Sequence, residues 1–171
     1  MKPQPGALTM DEDDRRVLAV WAADCAQRTL PLFEAQASSD TRPREAIEGA
    51  LAFARGEMRI GPARALAVAA HSAARDVGGE PAAVAAARAA GHAAATAHMA
   101  AHARGVAYAA IAAGLAAPAD PTAVEIEARW QLSHATPAVR EVLRRLPPPP
   151  RNAGMLGTLI SDLHANVSRE G

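Results

Sequence analysis

Residues 81–117 read PAAVAAARAAGHAAATAHMAAHARGVAYAAIAAGLAA, and alanine fills 21 of these 37 positions. Alanine has the highest intrinsic helix propensity, so the stretch predicts helix. A run of 37 residues is long for one globular helix, and we expect a kink or break between residues 99 and 105. Because alanine lets helix backbones approach closely, we expect this stretch at the centre of a helical bundle.

The same stretch has the low charge of a membrane span, with Arg88 and Arg104 as its full charges. Alanine contributes little transfer energy, however, and three histidines interrupt the run. A spanning helix needs about 20 strongly apolar residues. We therefore predict a buried helix and no membrane partner.

Composition extends the helical prediction to the whole chain of 171 residues. Alanine accounts for 46 residues and aromatic side chains for five, and the β-branched and aromatic residues favoured in sheets are scarce. The predicted fold class is all-α, a single bundle of six to seven helices. We expect a flexible lead over residues 1–10, the bundle over 11–146, and a proline-rich linker and tail over 147–171 with one loosely attached helix.

The charge balance and the cysteine content restrict the partners and the compartment. Lysine plus arginine number 18, and aspartate plus glutamate number 18, so the basic excess typical of nucleic-acid binders is missing. Cys25 is the one cysteine, so no intramolecular disulfide can form. We expect a cytoplasmic protein that does not bind nucleic acid.

The histidines of the central stretch are the strongest local signal for a site. His98 and His102 are four residues apart and share one face of a helix, whereas His92 is predicted to point elsewhere. His71, in an earlier helix, could join this pair. The pair is compatible with structural hydrogen bonds, with a polar ligand site or with a metal. A metal would need further ligands that no second motif supplies, so we predict neither a metal nor a cofactor.

The first long helix carries a second polar group. Trp21, Asp24, Cys25 and Arg28 are spaced to lie on one face. An aspartate on a core face is costly unless it is paired. Asp24 therefore either forms an ion pair between helices or orients a histidine or binds a cationic group. Cys25 is predicted to be a buried thiol rather than a nucleophile.

Charged side chains also surround the first helix–helix junction. Asp40 is predicted to cap the following helix, and Arg42 and Arg44 are predicted to pair with Glu34 or Glu48. These are local structural contacts.

Five segments of the chain occur in an order that suggests a family. They are DRRVLAVWAADCA (14–26), LPLFE (30–34), DTRPREAIE (40–48), ARGE (54–57) and AAGHAAATAHMAAH (89–102). Together they resemble the immunity-five-like immunity proteins of bacteria, over about residues 12–146. The resemblance implies an immunity function and a set of characteristic polar positions. These match Asp24, Cys25, Glu34, Asp40, Arg42, Arg44, His71, His98 and His102. His92 departs from the family pattern, in which an amide is more usual.

The leading hypothesis is a small immunity or self-protection protein that binds a toxin protein or a toxic small molecule. Its ligand-binding residues would be Trp21, Asp24, Cys25, Glu34, Arg44, His71, His98 and His102. A concave pocket that reaches the histidines favours a small molecule. An exposed patch of roughly 800 Å² favours a protein toxin.

Two alternatives differ in class. In a small tailoring enzyme of natural-product biosynthesis, His98 or His102 would act as the general base and Asp24 would orient it. In a helical scaffold, the polar core residues would only specify packing. A homodimer is compatible with the sequence, which does not determine the oligomeric state.

Overall fold

The computed structural model describes residues 5–169, which form ten α-helices and one 3-10 segment without any strand. The α-helices are α1 (Pro5–Thr9), α2 (Glu12–Gln27), α3 (Leu30–Glu34), α4 (Arg42–Ala54), α5 (Ile60–Asp76), α6 (Pro81–Ala95), α7 (Ala107–Ala116), α8 (Ala123–Ser133), α9 (Pro137–Arg145) and α10 (Met155–Arg169). The all-helical bundle is confirmed. Its helices exceed the predicted six to seven because α1 and α3 are short and the alanine-rich stretch is divided.

Helix α6 is the centre of the bundle. It begins at Pro81, whose fixed φ suits the first helical turn, and ten of its 15 residues are buried. It contacts α2, α3, α4, α5 and α7. Small side chains make so many close contacts sterically possible, since a larger residue on any face would push a neighbouring helix away.

The alanine-rich stretch breaks after Ala95, within a few residues of the predicted position. Met99 is extended, with φ −152° and ψ 113°, and the 3-10 segment then runs over Ala100–Val106. The Thr96 hydroxyl donates to the His92 carbonyl at 3.0 Å, a local bond that competes with the continuing helix. The predicted break is confirmed.

Two side chains from other helices satisfy backbone carbonyls at this break. The buried Arg15 guanidinium on α2 donates from Nε to the Ala97 carbonyl at 2.9 Å. The buried Gln131 amide on α8 donates to the Val106 carbonyl at 2.9 Å. A buried carbonyl without a partner is costly, so both bonds stabilise the broken geometry.

Helix α2 begins within the acidic run of residues 11–14. The Asp11 carboxylate accepts from the Asp14 backbone N–H at 2.8 Å, and acidic residues fill the first turn. The helix ends at Gln27, and Pro31 lies in the first turn of α3. Proline at this point therefore starts a new short helix after a break in the chain.

The two ends of the chain both pack on the bundle. Residues 5–9, predicted to belong to a flexible lead, form α1, while residues 1–4 of that lead lie outside the described residues. Helix α10, predicted to be loosely attached, contacts α7, α9 and the 3-10 segment and buries Leu163 and Val167. We call residues 147–169 the C-terminal segment.

Within residues 5–169, every helix is too short or too polar to cross a membrane.

Substitution of leucine for Ala70 should destabilise the protein, because Ala70 is fully buried on α5. Overpacking of a filled core costs about 1–3 kcal/mol. Ala65→Leu, at an exposed position of the same helix, is the matched control and should change stability by less than about 0.5 kcal/mol. Urea denaturation of both variants measures the difference, and equal stability would contradict the close packing described here.

Candidate functional site

Four histidines from four parts of the chain converge beside the break. His71 lies on α5, His92 on α6, His98 in the turn after α6, and His102 in the 3-10 segment. Ring centroids are 5.1 Å apart for His71 and His92, 5.3 Å for His92 and His102, and 5.0 Å for His98 and His102. We call these four side chains the imidazole cluster. The predicted association of His71, His98 and His102 is thus present in the structure.

His92 lies at the centre of this cluster, which corrects the expectation that it points elsewhere. Its Nδ1 is 3.2 Å from Nδ1 of His102. Its ring also stacks on Tyr108 of α7 at a centroid distance of 5.2 Å. The expectation assumed one continuous helix from His92 to His102. The break rotates the chain after Ala95 and brings the two rings together.

Burial keeps the cluster uncharged at neutral pH. Desolvation, reinforced by His102 and His71, lowers the pKa of His92 to about 3. Desolvation, reinforced by His98 and His71, lowers the pKa of His102 to about 4. The pKa values of His71 and His98 are also lowered, chiefly by burial and then by nearby arginines. A neutral imidazole offers one N–H donor and one nitrogen acceptor.

The cluster has unused hydrogen-bonding capacity. The Nδ1 atoms of His71 and His98 are buried and have no hydrogen-bond partner. Between His92 and His102, the 3.2 Å contact joins one protonated and one unprotonated Nδ1, since two N–H groups would repel. Polar atoms of this kind are unusual in a core and are typical of functional sites.

Two glycines make room for the rings. A Cβ added at Gly91 would lie 2.7 Å from Cε1 of His71, and one added at Gly105 would overlap Cβ of His92. Any larger residue at either position would displace an imidazole. Glycine is therefore required at both positions by close approach.

A cavity of about 300 Å³ opens onto the cluster at His92 and His102. Its polar wall also includes Arg104, Tyr108 and Asn152. The C-terminal segment supplies much of the opposite wall, which is largely apolar. The apolar lining residues include Leu8, Pro149, Pro150, Leu156 and Ile160. This concave, mixed surface is typical of small-ligand sites.

A larger cavity, of about 480 Å³, lies between α7, α8 and α10. It contains no histidine. Its charged lining residues are Glu125, Arg129 and Asp162, and the first two form an ion pair across one turn of α8. The smaller cavity is the better candidate site, because it reaches two rings of the imidazole cluster and also exposes Arg104 and Tyr108 on a concave surface.

Asp24 is not part of the imidazole cluster. The residue is exposed on α2. The partial loss of water around its carboxyl group raises the pKa of that group, and the nearby His134 lowers it. Trp21 is buried, and its indole Nε1 donates to the Gln131 carbonyl at 2.9 Å. Neither side chain lines the histidine cavity. The hypothesis that Asp24 orients His98 or His102 as a general base needs a contact between Asp24 and one of these rings, and the described structure does not provide it.

The polar group on α2 instead joins α2 to α8. Arg28 forms a bidentate ion pair with the buried Glu127, with N···O distances of 2.8 and 3.0 Å. Its guanidinium also lies 3.9 Å from the centroid of the Trp130 ring. A buried carboxylate needs such pairing. The ion pair that joins these two helices is therefore formed by Arg28, whereas Asp24 was expected from the sequence to form it.

Cys25 is fully buried, and desolvation raises the pKa of its thiol, as do the charges of Glu127 and Asp24. A thiol in this environment remains protonated and cannot contact a ligand. Its predicted place in a ligand-binding set finds no support in the contacts described here.

The junction of α3 and α4 contains one of the predicted ion pairs, since Arg44 pairs with Glu34 at 2.6 Å. Arg42 was expected to pair with Glu34 or Glu48 and instead pairs with Asp40 at 2.6 Å and with Asp76 of α5 at 2.8 Å. The residue at the N-cap of α4 is Thr41, so the prediction that Asp40 occupies this position is wrong. Glu34 and Arg44 line neither of the two cavities. Their contacts hold helices together.

The structure shows no preformed metal site within residues 5–169. No three histidine, cysteine or carboxylate side chains there are arranged to hold a metal ion.

Sequence reasoning missed His92, Arg104 and Tyr108 as site residues. Arg104 and Tyr108 lie in the same alanine-rich stretch as the histidines. Polar residues in a stretch that is otherwise buried are themselves a signal, because each needs a partner. The polar residues that follow the predicted break could have been found in this way.

The fold and the site define an all-helical protein with a cavity lined by neutral histidines. A model of the family described as "Imm-5 like putative immunity protein" matches residues 8–138, and the chain belongs to this family. The suspected resemblance is thereby confirmed. Neither a curated protein nor a solved structure matches the chain.

Alanine at Gly105 should disrupt the cluster, because its Cβ would overlap His92. The expected loss is about 1–3 kcal/mol of unfolding free energy. Gly61→Ala on α5, with nothing within 4 Å of the new Cβ, is the matched control and should be neutral or stabilising by up to about 1 kcal/mol. Thermal and urea unfolding measure both. An unchanged stability in Gly105→Ala would show that the rings are not packed as described.

The stability of the protein should fall as pH falls from 6.5 towards 4. His92 and His102 stay neutral in the native state, with pKa values of about 3 and about 4, whereas both take up a proton near pH 6.5 in the unfolded chain. The unfolded state therefore binds more protons in this window. The free energy of unfolding decreases by at most about 1.4 kcal/mol per pH unit for each histidine.

Urea denaturation at several pH values between 7.5 and 5 tests this dependence before most carboxylates titrate. His102→Gln should show a smaller decrease than the wild type. His134→Gln, at an exposed position, is the control and should retain the full decrease. Equal pH slopes in the wild type and His102→Gln would contradict the assignment.

Proposed function

We propose that this protein confers immunity by binding a toxin or a toxic small molecule through the cavity beside the imidazole cluster. Membership of the immunity family supports a toxin as the partner in the broad sense. The proposed location of the binding site rests on the cavity of about 300 Å³ that reaches His92 and His102. A compact toxic molecule, or one side chain of a toxin protein, fits a space of this size.

The chemistry of the cavity favours binding by directional hydrogen bonds. Neutral imidazoles present both donors and acceptors, and the phenol of Tyr108 can do either. Because the rings are buried against one another, they pay little rotational entropy when a ligand arrives. The apolar residues of the C-terminal segment lower the polarity of the cavity and so strengthen each polar contact.

The decisive experiment expresses the genes that neighbour this one in its genome, with and without the chain, identifies a neighbour that is toxic alone, and measures cell survival. His98→Ala combined with His102→Ala should abolish protection, because it removes two imidazoles of the cluster. His134→Ala is the matched control and should protect fully, since His134 is exposed just after the end of α8 and lies outside the cavity. Thermal unfolding of each variant accompanies the survival assay.

Loss of protection by a variant that stays folded at the assay temperature supports a binding site in the cavity. Full protection by the folded double variant would refute it. Size-exclusion chromatography of the protein with the toxin then separates two modes. A stable complex indicates a protein toxin, whereas protection without a complex indicates a small molecule.

A further inference from the structure

Arg104 is a buried cation in the wall of the histidine cavity. Its side chain belongs to the 3-10 segment, and the residue is 7% exposed. Within residues 5–169 it forms no ion pair, and its one hydrogen bond goes to the Pro147 carbonyl. A guanidinium has five N–H donors, so most of its donor capacity is unused.

Comparison with the other buried charges shows how unusual this is. Arg15, 8% exposed, donates to the carbonyls of Ala97, Thr9 and Met10. The buried Glu127 has its bidentate partner Arg28. Arg104 has neither a set of carbonyls nor a carboxylate. A buried charge without compensation is costly, and such a charge is typically retained where a ligand completes it.

The cavity around Arg104 carries no negative charge. None of its lining residues is acidic. His92 and His102 contribute no positive charge either, since burial lowers their pKa values to about 3 and about 4. Arg104 remains charged, although burial lowers its pKa to about 10. The cavity therefore has one fixed positive charge, which favours an anion over a cation or a neutral molecule.

The remaining walls indicate what accompanies the anionic group. Asn152 and Tyr108 offer further polar contacts, whereas Pro149, Pro150 and Leu156 form an apolar surface. A bare inorganic anion would leave that surface in contact with water. A carboxylate attached to a flat apolar body satisfies both parts, since a guanidinium binds a planar carboxylate in a bidentate manner.

We propose that the histidine cavity binds a small organic carboxylate, with its charged group on Arg104 and its apolar body against the C-terminal segment. This proposal rests on the proposed function in one respect, because both place the ligand in the same cavity. It specifies the chemistry that the toxic molecule, or the toxin side chain, would present.

Titration with benzoate tests the proposal, with benzamide as the uncharged analogue of the same shape and inorganic phosphate as an anion without an apolar body. Backbone amide NMR signals around the 3-10 segment report binding. Benzoate should bind saturably, and benzamide and phosphate should each bind at least about 10-fold more weakly.

Three variants identify the guanidinium as the cause. Arg104→Met should weaken benzoate binding by about 10- to 100-fold, which is the range for a hydrogen bond to a charged group. Arg104→Lys should bind with intermediate affinity, because it retains the charge without the planar fork. Arg151→Met, at an exposed arginine of the same C-terminal segment, is the matched control and should bind like the wild type. Thermal unfolding verifies that each variant is folded.

Several results would overturn the proposal. These are equal binding of benzoate and benzamide, benzoate binding by folded Arg104→Met at wild-type affinity, and an absence of saturable binding by both anions. The outcome is separable from that of the proposed function. Binding of benzoate through Arg104 with protection unaffected by the histidine variants supports the anion site and refutes the immunity role of the cavity. If protection needs His98 and His102 but neither anion binds, the immunity role of the cavity is supported and the anion site is refuted.

Discussion

The hydrogen bonds from Arg15 to the Ala97 carbonyl and from Gln131 to the Val106 carbonyl are the contacts on which the rest of the structure depends. They satisfy backbone groups at the two ends of a break in the most buried stretch of the chain. Without these donors, a break at this depth would leave polar groups unpaired in an alanine core. With them, α6 and α7 can change direction around the imidazole cluster.

The alanine core and the histidines depend on each other. Alanine and glycine let helices approach closely but provide little volume, so the rings of His92, His102 and Tyr108 fill space that aliphatic side chains fill in other bundles. The imidazoles placed in this way lose water, which lowers their pKa values and keeps them neutral. The core therefore gains packing from groups that remain able to exchange hydrogen bonds, which an aliphatic core cannot offer.

Most of the fold could be predicted from the sequence. Helix type followed from alanine content, and the break in the alanine-rich stretch followed from its length alone. The arrangement of the site could not be predicted as fully. The direction of the His92 side chain relative to His98 and His102 was derived from an unbroken helix, and the break changes that direction.

Asp24 was misassigned for a related reason. The face of α2 that carries Trp21 and Cys25 is wide, and Asp24 lies at its exposed margin, near His134 rather than near the cluster. Helical periodicity defines a face to within about 100°. It does not state which neighbouring helix meets each edge. That information resides in tertiary contacts such as the ion pair of Arg28 with Glu127.

The histidine cavity is built from two regions of the chain. The family match ends at residue 138, so the four imidazoles lie inside it, whereas Pro149, Pro150 and Leu156 come after it. Much of the apolar surface of the cavity is therefore encoded apart from the imidazoles. Substitutions in the tail can alter the outline of the cavity while the donors and acceptors of the imidazoles stay fixed.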